Sequence, residues 1–218
     1  MERHFIIDKY NTWYDWKLIL SEKEIGEAEP KTNLVDIDGM NGSLDLSESL
    51  TGEITYSDRK IKVEFWTDNG NRQDREKLLR SITAALHGKK VKIIEPDDTE
   101  HYFDGRVTVS NKVNNSAYAK LTINATCEPW RYSLSEITRE ITVNSEAVSN
   151  FVFRNNGEKT LSPVMSVKGN INIVYNGITT ELSDGDYKIS DVKLYSGVNI
   201  IGVSGVGSVV FKYREGCL

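Results

Sequence analysis

Alternating apolar and polar residues predict strands in the first two thirds of the chain. In KIKVEFWT (60–67), apolar residues alternate with charged residues and Trp66, which is the two-residue period of a half-buried strand. AYAKLTINATC (117–127) has the same period, and Cys127 is the last residue on its apolar face. These segments therefore predict a sheet with one buried face.

A charged turn joins two further predicted strands, VKII (91–94) and YFDGRVTV (102–109). The intervening EPDDTE (95–100) contains a proline and two adjacent aspartates, which favour a tight turn, so the segments predict a hairpin. Its acids could in principle gather a divalent ion, but their spacing matches neither an EF-hand loop nor a histidine-based zinc motif. We therefore expect a solvated turn.

One amphipathic helix is predicted at about residues 73–87. Apolar residues recur there at the three- and four-residue spacing of a helix, namely Leu78, Leu79, Ile82, Ala85 and Leu86. Asn71 or Asp74 can cap its start, and Gly88 can supply the left-handed residue that ends it.

The pattern after residue 133 predicts a second, all-β region. Short β-branched runs alternate there with glycine-containing turns. Asn176 and Gly177 predict a two-residue type I′ hairpin turn, because both tolerate positive φ. GVSGVGSVV (202–210) lacks the residue order of a phosphate-binding loop, and we predict a hairpin there as well.

A chain of 218 residues has room for two domains. We predict a mainly β protein whose N-terminal domain, residues 1–133, is a β-barrel or split sheet with the one helix. Residues 134–218 are predicted to form a β-sandwich, since many short strands without a helix are typical of that fold. Because no low-complexity linker separates the two domains, we expect them to abut.

Charge and cysteine content narrow the classes of function. The formal net charge is −5, and acids and bases are interleaved, which argues against a surface that holds nucleic acid by counterion release. The N-terminal residues lack a secretory-signal pattern and no apolar run reaches membrane-spanning length, so we expect a soluble cytosolic product without membrane insertion. Cys127 and Cys217 are far apart, and we expect ordinary thiols.

The sequence contains no recognisable catalytic pattern. Its three histidines, His4, His87 and His101, lie near a terminus, at a helix end and in a turn. None lies near a nucleophile elbow or a reactive-cysteine signature. We therefore predict that the protein is not an enzyme and has no cofactor or metal site.

Aromatic residues allow a different function. Trp13, Tyr14 and Trp16 cluster near the N-terminus, and Trp66 lies on the polar face of its predicted strand. Such residues can stack on a sugar, form a protein interface or pack in the core. A carbohydrate-binding module that recognises cell-wall sugars through Trp13, Trp16 or Trp66 is therefore an alternative function.

The segment CEPWRYS (127–133) marks the predicted border between the domains. Pro129 cannot donate a backbone hydrogen bond and favours an extended Glu128, so the strand is predicted to end there. We expect Trp130 and Tyr132 to pack at the seam between the two domains.

Five segments occur in an order that matches one protein family. NGSLDLSESLTGEITYSDRKIKVEF (41–65) is followed by a helix ending in L-x-G-K, by YFDGRV (102–107), and by a strand that leads into CEPWRYS. GVNIIGVSGVGSVVFKYREGCL (197–218) completes the set. Together they resemble the distal tail proteins of long-tailed, siphovirus-type phages and prophages of Gram-positive bacteria, over nearly the whole chain.

The resemblance implies a structural protein of the virion tail tip, assembled in the cytoplasm of the host bacterium. In that family a β-rich N-terminal domain with one helix forms a homo-hexameric ring, and a galectin-like β-sandwich projects outward. The ring joins the tail tube protein to the tail-associated tip protein and, in many members, binds receptor-binding proteins. DNA passes through its channel, so the resemblance implies no specific DNA binding.

The patterns and the resemblance together single out structural and interface candidates. They are Gly42, Asp45, Tyr56, Arg59, Trp66, Gly105, Pro129 and Trp130. Asp45 and Arg59 could form a buried or an intersubunit acid–arginine pair. Loss of Arg59 could therefore weaken either folding or ring closure.

Overall fold

Strands dominate the computed structural model, which describes residues 3–113 and 117–218. Their bounds are β1 (Ile6–Ile7), β2 (Tyr10–Asn11), β3 (Ile19–Ile25), β4 (Leu34–Asp36), β5 (Ser43–Asp45), β6 (Arg59–Thr67), β7 (Lys90–Glu95), β8 (Asp98–Val113), β9 (Ala119–Ser133), β10 (Ile137–Asn155), β11 (Val164–Tyr175), β12 (Ile178–Leu182), β13 (Gly185–Lys188), β14 (Gly197–Tyr213) and β15 (Gly216–Cys217). Within the described residues one helix, α1 (Arg72–Leu86), interrupts them. The predicted mainly β fold class is confirmed.

The chain divides into two units, Met1–Arg131 and Tyr132–Leu218. The N-terminal unit contains a curled, open sheet in the order β2-β1-β7-β8-β9-β6-β3. Antiparallel pairing of β6 and β9 aligns their apolar residues, from Arg59 opposite Cys127 to Thr67 opposite Ala119. The predicted alternation is confirmed, because Ile61, Val63 and Phe65 are buried together with Ala119, Leu121, Ile123, Ala125 and Cys127.

Helix α1 covers the buried face of this sheet. Asn71 accepts a hydrogen bond from the Asp74 backbone N–H, and the Asp74 carboxylate accepts one from the Asn71 N–H, so a capping box starts the helix. The buried side chains Leu79, Ile82 and Leu86 lie in the core of the unit. The predicted helix at 73–87 is confirmed, with bounds shifted by one residue. This helix is too short and too polar to cross a membrane.

The predicted hairpin between β7 and β8 is confirmed, but its turn is shorter than the predicted 95–100, and Glu95 is buried. Glu95 lies opposite Asp98, so Pro96 and Asp97 form a two-residue connection between β7 and β8.

Cys127 is buried in β9, and its burial raises the pKa of the thiol to about 12.

The predicted end of β9 at Pro129 is wrong, since the strand continues to Ser133. The pairing with β6 ends at Arg59 opposite Cys127, two residues before Pro129. Pro129 therefore lies beyond the ladder with β6, where its missing N–H costs no hydrogen bond on that side.

The C-terminal unit is built from long bent strands in the order β10-β14-β11-β12, with β13 also paired to β11. The rings of Phe153 and Phe211 lie 4.7 Å apart between centroids. In the β10–β14 ladder, however, Phe153 pairs with Asn199 near one end and Phe211 pairs with Arg139 near the other end. This contact requires the two halves of the sheet to fold over one another. The resulting two layers enclose a separate core.

The predicted hairpin at 202–210 is wrong, because these residues lie within the continuous strand β14. Gly205 and Gly207 have φ angles of 109° and 150°, and they lie beside Gly169 of β11 and a bulge in β10 after Ser145. A Cβ on Gly207 would lie 2.1 Å from the carbonyl oxygen of Lys168. The glycines therefore form the corner at which the sheet bends, where close backbone approach excludes side chains.

The tight turn at Asn176 and Gly177 is confirmed. Tyr175 lies opposite Ile178, and the two turn residues have φ angles of 50° and 79°, as a type I′ hairpin requires. The galectin-like character of the unit stays a prediction.

Gly105 of β8 lies against β9 in the N-terminal core. A Cβ at this position would be 2.4 Å from the Cys127 sulfur and 2.7 Å from the Thr126 carbonyl oxygen. Because real Cβ atoms do not approach a backbone this closely, a side chain here must push the two strands apart.

Gly105→Ala is therefore expected to lower the free energy of unfolding by about 1–3 kcal/mol, the usual effect of overpacking a core. Urea unfolding of the purified protein measures it. Ser110→Ala, at an exposed position on the same strand, is the matched control and should change stability by less than about 0.5 kcal/mol. Equal stability of the two variants would contradict the close packing of β8 on β9.

Candidate functional site

The chain between β3 and β6 leaves the sheet as a two-stranded arm, residues 27–58. Near its base, the Ser57 N–H donates to the Glu29 carbonyl and the Lys31 N–H donates to the Thr55 carbonyl, each over 2.8 Å. Farther out, β4 and β5 pair with each other in a separate two-stranded sheet. The arm is thus held by its own backbone ladder.

The outer part of the arm is not covered by the rest of the chain. Every residue from Glu29 to Asp45 is exposed. The arm nevertheless carries large apolar side chains that are 39–98 % exposed, namely Leu34, Val35, Ile37, Met40, Leu44, Leu50 and Ile54. An isolated hairpin is marginally stable in water, and a concentration of exposed large apolar side chains is typical of a protein interface.

Two of the predicted site residues, Gly42 and Asp45, lie in this arm. Gly42 has a φ of 78° beside the start of β5. Asp45 accepts hydrogen bonds from the hydroxyl and the backbone N–H of Ser47, and these lower the pKa of its carboxyl. Asp45 is thus engaged within the arm and does not pair with Arg59 in the described structure.

Arg59 lies at the base of the arm, as the first residue of β6. Its guanidinium donates to the Gly26 carbonyl over 3.1 Å and to the Pro129 carbonyl over 3.2 Å. It also lies 5.6 Å from the ring centroid of Phe103, and the residue is only 7 % exposed. Arg59 therefore links three segments: the residue before the arm, the strand β6 that follows the arm, and β9.

Three further predicted residues gather at the same place. The rings of Tyr56 and Trp130 meet edge to face, 5.4 Å apart between centroids. Pro129 supplies the carbonyl that Arg59 binds. Tyr132 contacts Lys159 within the C-terminal unit. The predicted packing of Trp130 and Tyr132 at a domain seam stays a prediction.

Trp66 lies elsewhere, on the outer face of β6. It is half-buried and lines an open cavity of about 520 Å³ together with Tyr118, Lys120, Ser21 and Asp68. This cavity places two aromatic rings next to polar groups, which is the combination that sugar binding needs.

The N-terminal tryptophans differ from each other. Trp16 is 8 % exposed and stacks on Tyr10, with ring centroids 4.8 Å apart, so it is a core residue and cannot stack on a sugar. Trp13 is half-buried beneath the ammonium group of Lys17.

Acids of the turn between β7 and β8 pair with basic residues of the chain. Asp97 accepts a hydrogen bond of 2.6 Å from Lys23, and Asp98 lies 2.9 Å from His101 and 3.3 Å from Arg131. Among residues 3–113 and 117–218, no group of histidine, cysteine or acidic residues has the arrangement of a metal site. These acids are engaged by neighbouring side chains of the same unit.

Comparison with solved structures relates this geometry to a known fold. Neither a protein-family model nor a curated protein sequence matches the chain. A crystal structure of the Dit protein of phage SPP1 matches it with a TM-score of 0.71 and 14 % sequence identity, over 100 % of both chains. This chain has the Dit fold.

The SPP1 protein is described as a paradigm of the hub adsorption apparatus in phages that infect Gram-positive bacteria. At 14 % identity, the likeness is one of fold.

The sequence patterns did not identify the arm as a separate element. Its strands are only three residues long, and its apolar residues are separated by acids and glycines. The segment therefore lacks the alternation of apolar and polar residues that predicts a strand. The one available signal was a concentration of acids between residues 27 and 58.

Replacing Arg59 should mainly weaken folding, because its contacts lie within the N-terminal unit. We expect Arg59→Ala to lower the free energy of unfolding by about 2–4 kcal/mol, since two carbonyls lose a charged donor. Thermal and urea unfolding of the monomer would measure this. The neighbouring Lys60→Ala, at an exposed residue, should have an effect below about 1 kcal/mol. Unchanged monomer stability with loss of assembly would instead assign Arg59 to a subunit contact.

Proposed function

We propose that the chain is a structural hub protein of a phage tail, and that its N-terminal unit forms a homo-hexameric ring. The observation that carries the proposal is the match to the SPP1 Dit protein over the whole of both chains. The exposed apolar arm supports it independently, because a ring-forming subunit needs a surface that only its neighbour covers.

The proposed ring lies between the tail tube protein and the tail-associated tip protein, at the tip of the virion tail, after assembly in the cytoplasm of the host bacterium. Receptor-binding proteins are further proposed partners. DNA would pass through the channel without specific binding, and the net charge of −5 suits such a conduit. This role needs no catalytic group, cofactor or metal.

Native mass spectrometry and negative-stain imaging of the purified protein test the ring. We expect hexamers and ring-shaped particles. A monomer at high protein concentration, together with tails that lack such a ring, would contradict the proposal.

The apolar face of the arm should be necessary for ring formation. Val35 and Leu44 lie directly opposite each other in the arm and are 40 % and 39 % exposed. We expect Val35→Thr with Leu44→Thr to weaken subunit association at least about tenfold, because burial of two large side chains is lost. Threonine keeps the preference for strand, so monomer stability should change little.

The matched control is Val198→Thr with Ile200→Thr, an exposed apolar pair on β14 of the C-terminal unit. This control should assemble like the unmodified protein. Wild-type assembly of the arm variant would exclude the arm as the ring contact.

Carbohydrate binding is a second candidate function, favoured by the cavity beside Trp66 and Tyr118. Under the hub proposal we expect no signal from the purified protein on an array of bacterial cell-wall glycans. A glycan signal that Trp66→Ala removes and Trp130→Ala retains would instead support sugar recognition by the N-terminal unit.

A further inference from the structure

Charge is distributed very unevenly along the chain. The arm contains eight acids, Glu27, Glu29, Asp36, Asp38, Asp45, Glu48, Glu53 and Asp58, and one base, Lys31. Its net charge is therefore −7, while the whole chain carries −5. The remaining residues carry a net +2, so the arm is far more acidic than the rest of the chain.

Four acids of the arm are available to a partner. Asp38 and Glu48 are exposed and have no side-chain partner among the described residues. Asp36 and Asp45 bond only to serines of the arm. The arm therefore carries exposed apolar side chains and unneutralised carboxylates along the same segment.

The opposite charge is concentrated on helix α1 and the chain that follows it. Residues 72–92 contain seven bases and two acids, a net charge of +5. The outward side of α1 carries the exposed residues Lys77, Arg80, Ser81 and Ala84, and exposed Lys89 follows the end of the helix; we call these five residues the basic helix face. Lys77 and Lys89 have no side-chain partner among the described residues.

The shape of the basic helix face suits a flat hairpin. Lys77, Ser81 and Ala84 follow one another at the spacing of a single helix face. The small side chains of Ser81 and Ala84 let a strand pair approach closely, while Lys77 and Lys89 lie on either side along the chain. Apolar side chains can therefore pack on the helix while carboxylates meet the ammonium groups.

The outer arm does not bind the basic helix face of its own chain, because its residues from Glu29 to Asp45 are exposed. Contact between two arms is unfavourable as well, since each carries a net −7. A closed ring requires two different surfaces that meet head to tail around the circle. The arm and the basic helix face are such a pair.

We propose that the arm of one copy lies across the basic helix face of the next copy in the ring. This inference rests on the proposed ring and specifies which two surfaces close it. Because the charges are exposed, the contact weakens as salt shortens the Debye length below about 10 Å.

Charge reversal on each surface tests the contact. The arm variant is Asp38→Lys with Glu48→Lys, and the helix variant is Lys77→Glu with Lys89→Glu. Each should weaken association at least about tenfold at low salt, because attractive charges become repulsive. The chain that carries all four changes should assemble again, since the charges are opposite once more. Association is measured by analytical ultracentrifugation, and thermal unfolding verifies that each variant is folded.

The control is Lys188→Glu with Lys212→Glu, an exposed pair on the C-terminal unit with the same change in net charge. It should assemble like the unmodified protein. If the helix variant still assembles, or if the chain with all four substitutions does not, the proposed contact is wrong, but the proposed ring is not contradicted. If the unmodified protein forms no ring, the hub proposal fails and this contact fails with it.

Discussion

The buried guanidinium of Arg59 fixes the relation between the arm and the sheet from which it extends. It binds the carbonyls of Gly26 and Pro129, which lie at the start of the arm and near the end of β9. A single planar group with several donors can serve both acceptors at once, which an ammonium group does less well. Together with the bond from the Gly26 N–H to the Lys60 carbonyl, this side chain, packed beside Phe103, holds the base of the arm against the sheet.

The arm itself has little that stabilises it beyond its own ladder. Its strands β4 and β5 are three residues long, and the residues from Glu29 to Asp45 are exposed. A hairpin of this kind gains stability when a partner covers its apolar face. Its net charge of −7 opposes the pairing of two such edges with each other.

Sequence patterns predicted the elements that depend on local chemistry. The alternation in β6 and β9, the capped helix α1 and the Asn176-Gly177 turn each follow from residues close together in the chain. The errors occurred where a distant strand changes the meaning of a residue. The local pattern of glycines in β14 predicts a turn, but a glycine is needed at position 207 because the Lys168 carbonyl lies against it. Pro129 predicts the end of β9, but β9 continues because its ladder with β6 ends at Cys127, before the proline.

By itself, the sequence determined the mainly β composition, the single helix at its position and the inward face of the central strands, because periodicity and capping are local properties. Only the tertiary structure decided that Trp16 is a core residue, that Asp45 and Arg59 have different partners, and that residues 27–58 project as an exposed arm. These features depend on contacts between residues that are distant in the sequence. The local sequence pattern around a residue does not specify which other residues cover it in the folded chain.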